Sequence, residues 1–284
     1  MIKNLQSLNE YKELLREVKL ETPKPFSNIY FLPGDIRRYI ELQRATYEKE
    51  KHGVVFFFDE ETHFRICFYV NEKYPFEISP QNKKCMLRIV FHKGKKTSQI
   101  LEVNRQLEKL GFKNKGTSVQ FQGDSGLLLS NCKSIERYII ALEKKGYHCI
   151  IPDVSRYGEI DQLIKDSGII KDYHLTYRTE EERKALLKGS YLCVVNKDHE
   201  ICAASIAVVN GSVAQAEAAA VKEEYKMRGL APVLSYQRYK WLCDNHIKTM
   251  QGWILTHNKT SLNYHKSLGY CFTDKYVEEW LLEE

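Results

Sequence analysis

Residues 201–255 constrain the fold more than any other part of the chain. The apolar run ICAASIAVV meets Asn210 and Gly211, and a second apolar run, VAQAEAAAV, follows at once. Asn-Gly between two such runs is a strong hairpin signal, because both residues accept the positive φ of a tight primed turn. A glycine at 229 then precedes Ala231 and Pro232, which open a helical pattern to residue 243, and another apolar run fills 249–255. Strands joined by a tight hairpin and then alternating with helices predict a mixed sheet of the α/β type.

The second strand of this hairpin, residues 213–221, is expected to place Val213, Gln215, Glu217, Ala219 and Val221 on one face and Ala214, Ala216, Ala218 and Ala220 on the other. Such small residues let another molecule approach the backbone. Gly229 suits the sharp turn that follows, and the first turn of the next helix carries free amide groups that, with the helix dipole, favour an anion such as a pyrophosphate. Pro232 fits that first turn, since its missing donor would have no partner there. A plain strand-to-helix turn would look the same, so this segment does not decide the matter alone.

Around it the second half predicts helices over 134–145, 158–166, 180–188 and 259–267, with strands at 148–152, 191–196 and from Tyr270. Two motifs stand in order within this half. One is basic-x-x-G-x-A at 226–231; the other is N-x-x-S-x-x-Y-H-x-x-x-G-Y at 258–270. Together they resemble the GNAT superfamily of N-acetyltransferases over about residues 140–284.

The resemblance implies an α/β chain of α+β type, with a mixed, mostly antiparallel central sheet flanked by helices. It also implies acetyl-coenzyme A as cofactor and acyl transfer to an amine, on a small molecule or a peptide, by direct attack in a ternary complex. Lys226, where the family usually has Arg or Gln, begins the pyrophosphate loop, and Met227, Arg228, Gly229, Leu230 and Ala231 would hold the diphosphate through backbone amides. Ala219 and Val221 lie on the strand that would bind the pantetheine arm, and a strand amide between 218 and 221 would polarise the thioester carbonyl. Asn258 would contact the coenzyme, or would simply cap its helix.

The family's usual tyrosine proton donor is here His265, with Tyr264 just before it, so either could protonate the departing thiolate. Glu217 is the candidate base, being the one acid between Glu200 and Glu223 on an otherwise small, apolar strand. Burial there would raise its pKa. The competing reading is a glutamate paired with a neighbouring strand's base. Gln215, on the same face, could position the substrate.

The first half begins with an amphipathic helix (Leu5, Leu8, Leu14, Leu15, Val18), which lacks the apolar core of a secretory signal. A helix capped by Asp35 should follow in PGDIRRYIELQRATYEKE, then a hairpin turning at residues 59–62, a strand CMLRIVF, a helix QILEVNRQLEKLGF and a strand GTSVQF. This order is similar to the centre of the same fold, with HKGKKTS standing at the coenzyme loop. Two tandem domains are therefore expected, with residues 1–126 a degenerate or accessory GNAT-like domain and 127–284 the acetyltransferase domain.

Residues 1–130 carry 22 Lys and Arg against 16 Asp and Glu, and the remainder carries 21 of each, so the net charge of +6 is N-terminal. An excess this small reads as a solvated face and argues against a nucleic-acid partner, although Lys93, Lys95 and Lys96 could grip an acidic acceptor or RNA. No apolar run approaches the roughly 20 residues of a membrane span. The eight cysteines are scattered without a C-x-x-C pair, and Cys67, Cys149, Cys193 and Cys202 lie in apolar runs, which implies reduced thiols, a cytoplasmic location and no metal. Oligomeric state is not encoded legibly. Two alternatives remain open: a non-catalytic acyl-coenzyme A sensor, and an aminoacyl-tRNA-dependent transferase of related fold.

Overall fold

The computed structural model describes residues 2–22, 24–29, 31, 33–79, 81–92, 96–167 and 178–283. It divides into two compact units, Met1–Ser118 with Asp274–Glu284, and Val119–Thr273.

The first unit contains, in order, β1 (Lys3–Asn4), α1 (Leu8–Glu21), β2 (Phe26–Ser27), α2 (Pro33–Glu41), β3 (Ala45–Glu50), β4 (Gly53–Glu60), β5 (His63–Val70), β6 (Lys84–His92), α3 (Ser98–Lys109) and the start of β7 (Lys113–Asp124). Ser7 caps α1 by accepting from the Glu10 amide at 3.1 Å, and the Glu10 carboxylate accepts in return from the Gln6 amide. Strands β3, β4 and β5 form an antiparallel meander in full register, from Ala45 opposite Phe58 to Glu60 opposite His63.

The run VVFFF on β4 reads as continuous rather than alternating because both of its faces are covered. Val54, Phe56 and Phe58 meet Tyr11, Leu14 and Val18 of α1 with Ile36 and Tyr39 of α2, while Val55 and Phe57 share the opposite core with Ile100, Val103 and Leu107 of α3. Within the first core, the Tyr39 hydroxyl donates to Glu60 Oε1 at 2.6 Å, and Arg65 Nε lies 3.0 Å from the same oxygen.

Two expectations for this half are corrected. Helix α2 starts at Pro33, so Asp35 lies inside its first turn instead of capping it. Residues Ala45–Glu50, read as a continuation of that helix, are the strand β3, whose alternate residues Ala45 and Tyr47 are buried. The extra strand shifts the whole comparison with the second half. HKGKKTS connects β6 to α3, whereas the segment that follows the third strand of the meander is 71–83, which is not helical among its described residues. The basic loop therefore does not occupy the place of a coenzyme loop. Lys93 and Lys95 lie outside the described residues, and Lys96 Nζ is 2.6 Å from the buried Glu278 Oε1.

The second unit continues from the end of β7 through α4 (Ser125–Asn131), α5 (Ile135–Glu143), β8 (His148–Ile150), α6 (Tyr157–Asp166) and α7 (Glu180–Ala185). Then come β9 (Tyr191–Val195), β10 (Ile201–Asn210), β11 (Val213–Val221), α8 (Leu230–Asp244), β12 (Thr249–Leu255), α9 (Lys259–Ser267) and β13 (Cys271–Leu282). The sheet order within it is β7-β12-β11-β10-β9-β8. Helix α8 covers one face through Val233, Leu234, Tyr236 and Leu242, and α6 covers the other through Tyr157, Ile160 and Ile164.

A division at residues 126 and 127 was expected from the Gly and Asp cluster, but β7 runs unbroken into that cluster and Asp124 caps α4 by accepting from the Leu127 amide. The C-terminal strand also returns to the first unit, where residues from Lys275 opposite His92 to Leu282 opposite Cys85 pair with β6.

Among the described residues, no helix is long and apolar enough to cross a membrane and no group of His, Cys, Asp and Glu is placed to hold a metal. The cysteines are free, and burial pushes the thiols of Cys85 and Cys193 up to about 12 and about 11.

Candidate active site

Strands β11 and β12 are parallel and pair at Val213 with Thr249, Ala214 with Met250 and Gln215 with Gln251. The ladder stops there, although β11 continues to Val221 and β12 to Leu255. Beyond Gln215 the two strands part, and the β11 edge from Ala216 onward has no ladder partner on that side among the described residues. A chain of carboxamides marks the branching point. Thr273 Oγ1 donates to Gln120 Oε1, Gln120 Nε2 to Gln251 Oε1 and Gln251 Nε2 to Gln215 Oε1, at 3.2, 3.4 and 3.2 Å. Gln215, a candidate for positioning substrate, is therefore engaged within the sheet.

The strand alternation expected for residues 213–221 does not persist. Ile206 faces Ala218 and Ala207 faces Ala216, so Glu217 is the extra residue of a β-bulge. One inserted residue moves every later side chain to the opposite face. Ala214 and Ala216 accordingly lie in the α8 core, whereas Ala218 and Ala220 lie in the α6 core, and Ala219 is exposed.

The bulge presents Glu217 to Arg178, the first described residue after Asp166 and Ser167 close α6 and its cap. Nη1 of Arg178 donates to Oε2 at 2.8 Å and Nη2 to Oε1 at 2.5 Å. Desolvation is the largest single influence on Arg178 and lowers its pKa, but the charge of Glu217, its hydrogen bonds and the nearby Tyr191 and Asp161 together outweigh it, and the net shift is upward. Alongside, Arg183 Nη2 is 2.9 Å from Asp161 Oδ2, and the Tyr191 hydroxyl donates to Asp161 Oδ1 at 3.1 Å. Glu217 was expected as an acid in apolar surroundings. The structure instead pairs it, and the partner is Arg178 of the segment just before α7 rather than a base on a neighbouring strand.

The turn after β11 is fixed by Glu200, which accepts from Lys222 Nζ at 2.6 Å and from the Tyr225 hydroxyl at 2.7 Å. Lys226 forms an ion pair with Glu223, Met227 is fully exposed at φ 59°, and Arg228 donates to the Tyr147 hydroxyl at 2.9 Å. Gly229 caps α8 in the left-handed region at φ 77° and has no side chain to cover the first-turn amides of Leu230 and Ala231. Pro232 supplies none.

A second cause acts on Gly229. The Tyr138 ring of α5 stands against its Cα, where a Cβ would lie 2.2 Å from Cε1, while the Tyr138 hydroxyl donates to the Arg228 carbonyl at 2.9 Å. The glycine is thus demanded by backbone angle and by packing, before any ligand is considered.

Asn258 caps α9 by accepting from the Ser261 amide at 3.0 Å. His265 is half-buried against the rings of Phe121 and Tyr270, with centroids 4.5 and 5.3 Å away. Its Nδ1 is 2.8 Å from the Ser261 carbonyl, an acceptor, so Nδ1 carries the proton. Desolvation lowers the His265 pKa below its ordinary value and the bond to Ser261 only partly opposes this. Near neutrality Nε2 therefore holds a lone pair and has no proton to give. Tyr264 lies 2.9 Å from Ser235 Oγ of α8, and burial raises its pKa, so its hydroxyl stays protonated.

Arg178, Tyr138 and the floor formed where Phe121 closes on Gly252 were not singled out from the sequence. A Cβ at Gly252 would lie 2.5 Å from Phe121 Cζ and 3.2 Å from Ala216 Cβ, a contact that links residues distant in the chain.

No family model and no curated protein matches the sequence. Solved structures do. A GCN5-related N-acetyltransferase from Sphaerobacter thermophilus superposes with a TM-score of 0.58 at 10% identity, over 100% of this chain and 95% of that one. A tandem GNAT protein from the clavulanic acid biosynthesis pathway gives 0.54 at 10% identity, covering 100% and 98%. A GCN5-related glucosamine N-acetyltransferase region in a fungal multi-domain β-N-acetylglucosaminidase gives 0.61 at 11%, covering 99% of this chain and 38% of that one. The chain has a GCN5-related N-acetyltransferase fold, in two GNAT-like units.

Proposed function

We propose that the second unit is an acyltransferase that moves an acetyl or short acyl group from acyl-coenzyme A to an amine of a small molecule or peptide. The observation that carries this reading is the parting of β11 from β12 after Gln215, which leaves a strand edge running toward the start of α8, where the N-cap Gly229 has no side chain to bond the first-turn amides. That pair of features suits an extended, amide-containing arm that ends in a diphosphate. The amides of Gly229, Leu230 and Ala231, with the backbone of Lys226, Met227 and Arg228, would hold the diphosphate, and the β11 edge at Ala219 and Val221 the arm. When bound, the coenzyme supplies the acyl group as a thioester.

Glu217 accepts the proton that the acceptor ammonium must lose before attack, with Arg178 fixing the direction of its carboxylate. An amide between Ala218 and Val221 faces the developing oxyanion. Tyr264 holds a transferable proton at Oη in the neutral range, whereas His265 offers only the Nε2 lone pair. Asn258 supports the site by starting α9.

One observation favours a second reading, a coenzyme sensor without turnover: both Glu217 oxygens are already taken by Arg178. Titration with acetyl-coenzyme A, coenzyme A and ATP, read by thermal unfolding, tests the coenzyme assignment. A hundredfold excess over Kd stabilises the native state by about 2.7 kcal/mol. Absence of any shift with the acylated and free coenzyme removes the proposal, and a shift without acetyl transfer to any of a panel of primary amines leaves the sensor.

A further inference from the structure

The first unit repeats the strand divergence of the second. Strands β5 and β6 are parallel and pair only at His63 with Lys84, Phe64 with Cys85 and Arg65 with Met86. These are again the first residues of both strands, as on β11 and β12. Strand β4 occupies one edge of β5 over its full length, so the edge released by β6 is the counterpart of the open β11 edge.

In the first unit that edge is taken. Phe26 and Ser27 of β2 pair antiparallel with Val70 and Tyr69. Next to them Asn28, buried from solvent, completes the row: its Nδ2 donates to the Ile66 carbonyl at 3.1 Å, its Oδ1 accepts from the Phe68 amide at 2.7 Å, and its backbone amide donates to the Phe68 carbonyl at 3.4 Å. The Phe26 ring lies against Phe68, with centroids 5.9 Å apart. A side-chain carboxamide presents the same donor and acceptor as a peptide unit, and Asn28 uses both on the β5 backbone. The connection 71–83 also contains no helix among its described residues, so this unit lacks an equivalent of the α8 start.

We infer that residues 26–28 permanently occupy, in the first unit, the strand edge that the second unit keeps open, so that each chain takes one acyl-coenzyme A. This rests on the reading of β11 and α8 as the coenzyme site. It assigns Asn28 the part of an internal stand-in for an amide-bearing ligand.

Two measurements on the full chain test it. Calorimetric titration with coenzyme A is expected to give one equivalent per chain. That equivalent should persist in Asn28→Ala and weaken at least tenfold in Met227→Glu, an exposed position, and in Gly229→Glu. Two equivalents in the unaltered protein, or one that survives both loop substitutions, overturns the inference. Hydrogen exchange provides an arm that needs no ligand: the Phe68 amide should exchange slowly and at least tenfold faster in Asn28→Ala, while the β11 edge exchanges quickly. Fast exchange at Phe68 in the unaltered chain overturns the occupied edge. No binding with a slow Phe68 amide removes the coenzyme reading of the second unit and leaves the occupied edge standing.

Discussion

Arg178 chelates Glu217 through both of its terminal nitrogens, at 2.8 and 2.5 Å, and so connects the start of the α7 segment to the bulge of β11. Both side chains are mostly removed from solvent, at 12% and 22% exposed. Loss of one partner strands a partly desolvated charge.

Arg178→Ala is therefore expected to destabilise the fold by about 3 kcal/mol, and the double variant with Glu217→Ala to recover part of that loss. Arg178→Lys restores the charge without the two-pronged geometry, so it should recover stability only in part. Urea unfolding of the unaltered protein, Arg178→Ala, Glu217→Ala and the double variant measures the coupling, and strictly additive losses would contradict it.

His265 gives a pH signature. Its pKa is lowered in the folded state, so below the ordinary value of 6.5 the unfolded chain binds more protons at this site. Stability from this residue is complete above that value and falls as the pH drops from 6.5 through the lower folded pKa. His265→Gln should flatten the profile between pH 7 and pH 5 in denaturant titrations. An unchanged slope would place the titration elsewhere.

At Gly229 two penalties can be separated. Gly229→Ala adds about 1 kcal/mol for the left-handed backbone and a further clash with Tyr138. Tyr138→Ala in the same chain should remove the clash and keep the backbone penalty, which thermal unfolding of the single and double variants resolves.

In catalysis, Tyr264→Phe removes the protonated hydroxyl beside Ser235 and should lower acetyl transfer by about a hundredfold if it supplies the proton. His265→Gln should lower it less. The reverse order, read from turnover on one amine substrate, would give the donor role to His265.

Much of this architecture was legible in the sequence, and the parts that were not share a cause. The hairpin between β10 and β11, the helix after Gly229 and the α9 cap at Asn258 are set by residues within a few positions of each other and were legible, although the turn itself is Gly211-Ser212, since Asn210 still pairs with Val213, and α8 opens at Leu230, two residues ahead of Pro232. Strand β3 was missed because ATYEKE buries just two apolar residues, Ala45 and Tyr47, beside a buried Glu48 in a charged stretch, and because it lies close behind a helix. The bulge at Glu217 leaves no mark on an alternation that continues through it. Arg178 owes its place to a partner 39 residues away, and the two-residue strand β2 exists only because the β5 edge is there to receive it. Each omission depends on a contact that sequence neighbours do not report.

The fork between β11 and β12 is held by Thr273, Gln120, Gln251 and Gln215, none of which can gain or lose a proton near neutrality. Salt and acid act on charges, so they find nothing to grip at this hinge point. The gap between the two strands should keep the same width in buffers that rearrange the ion pairs around it.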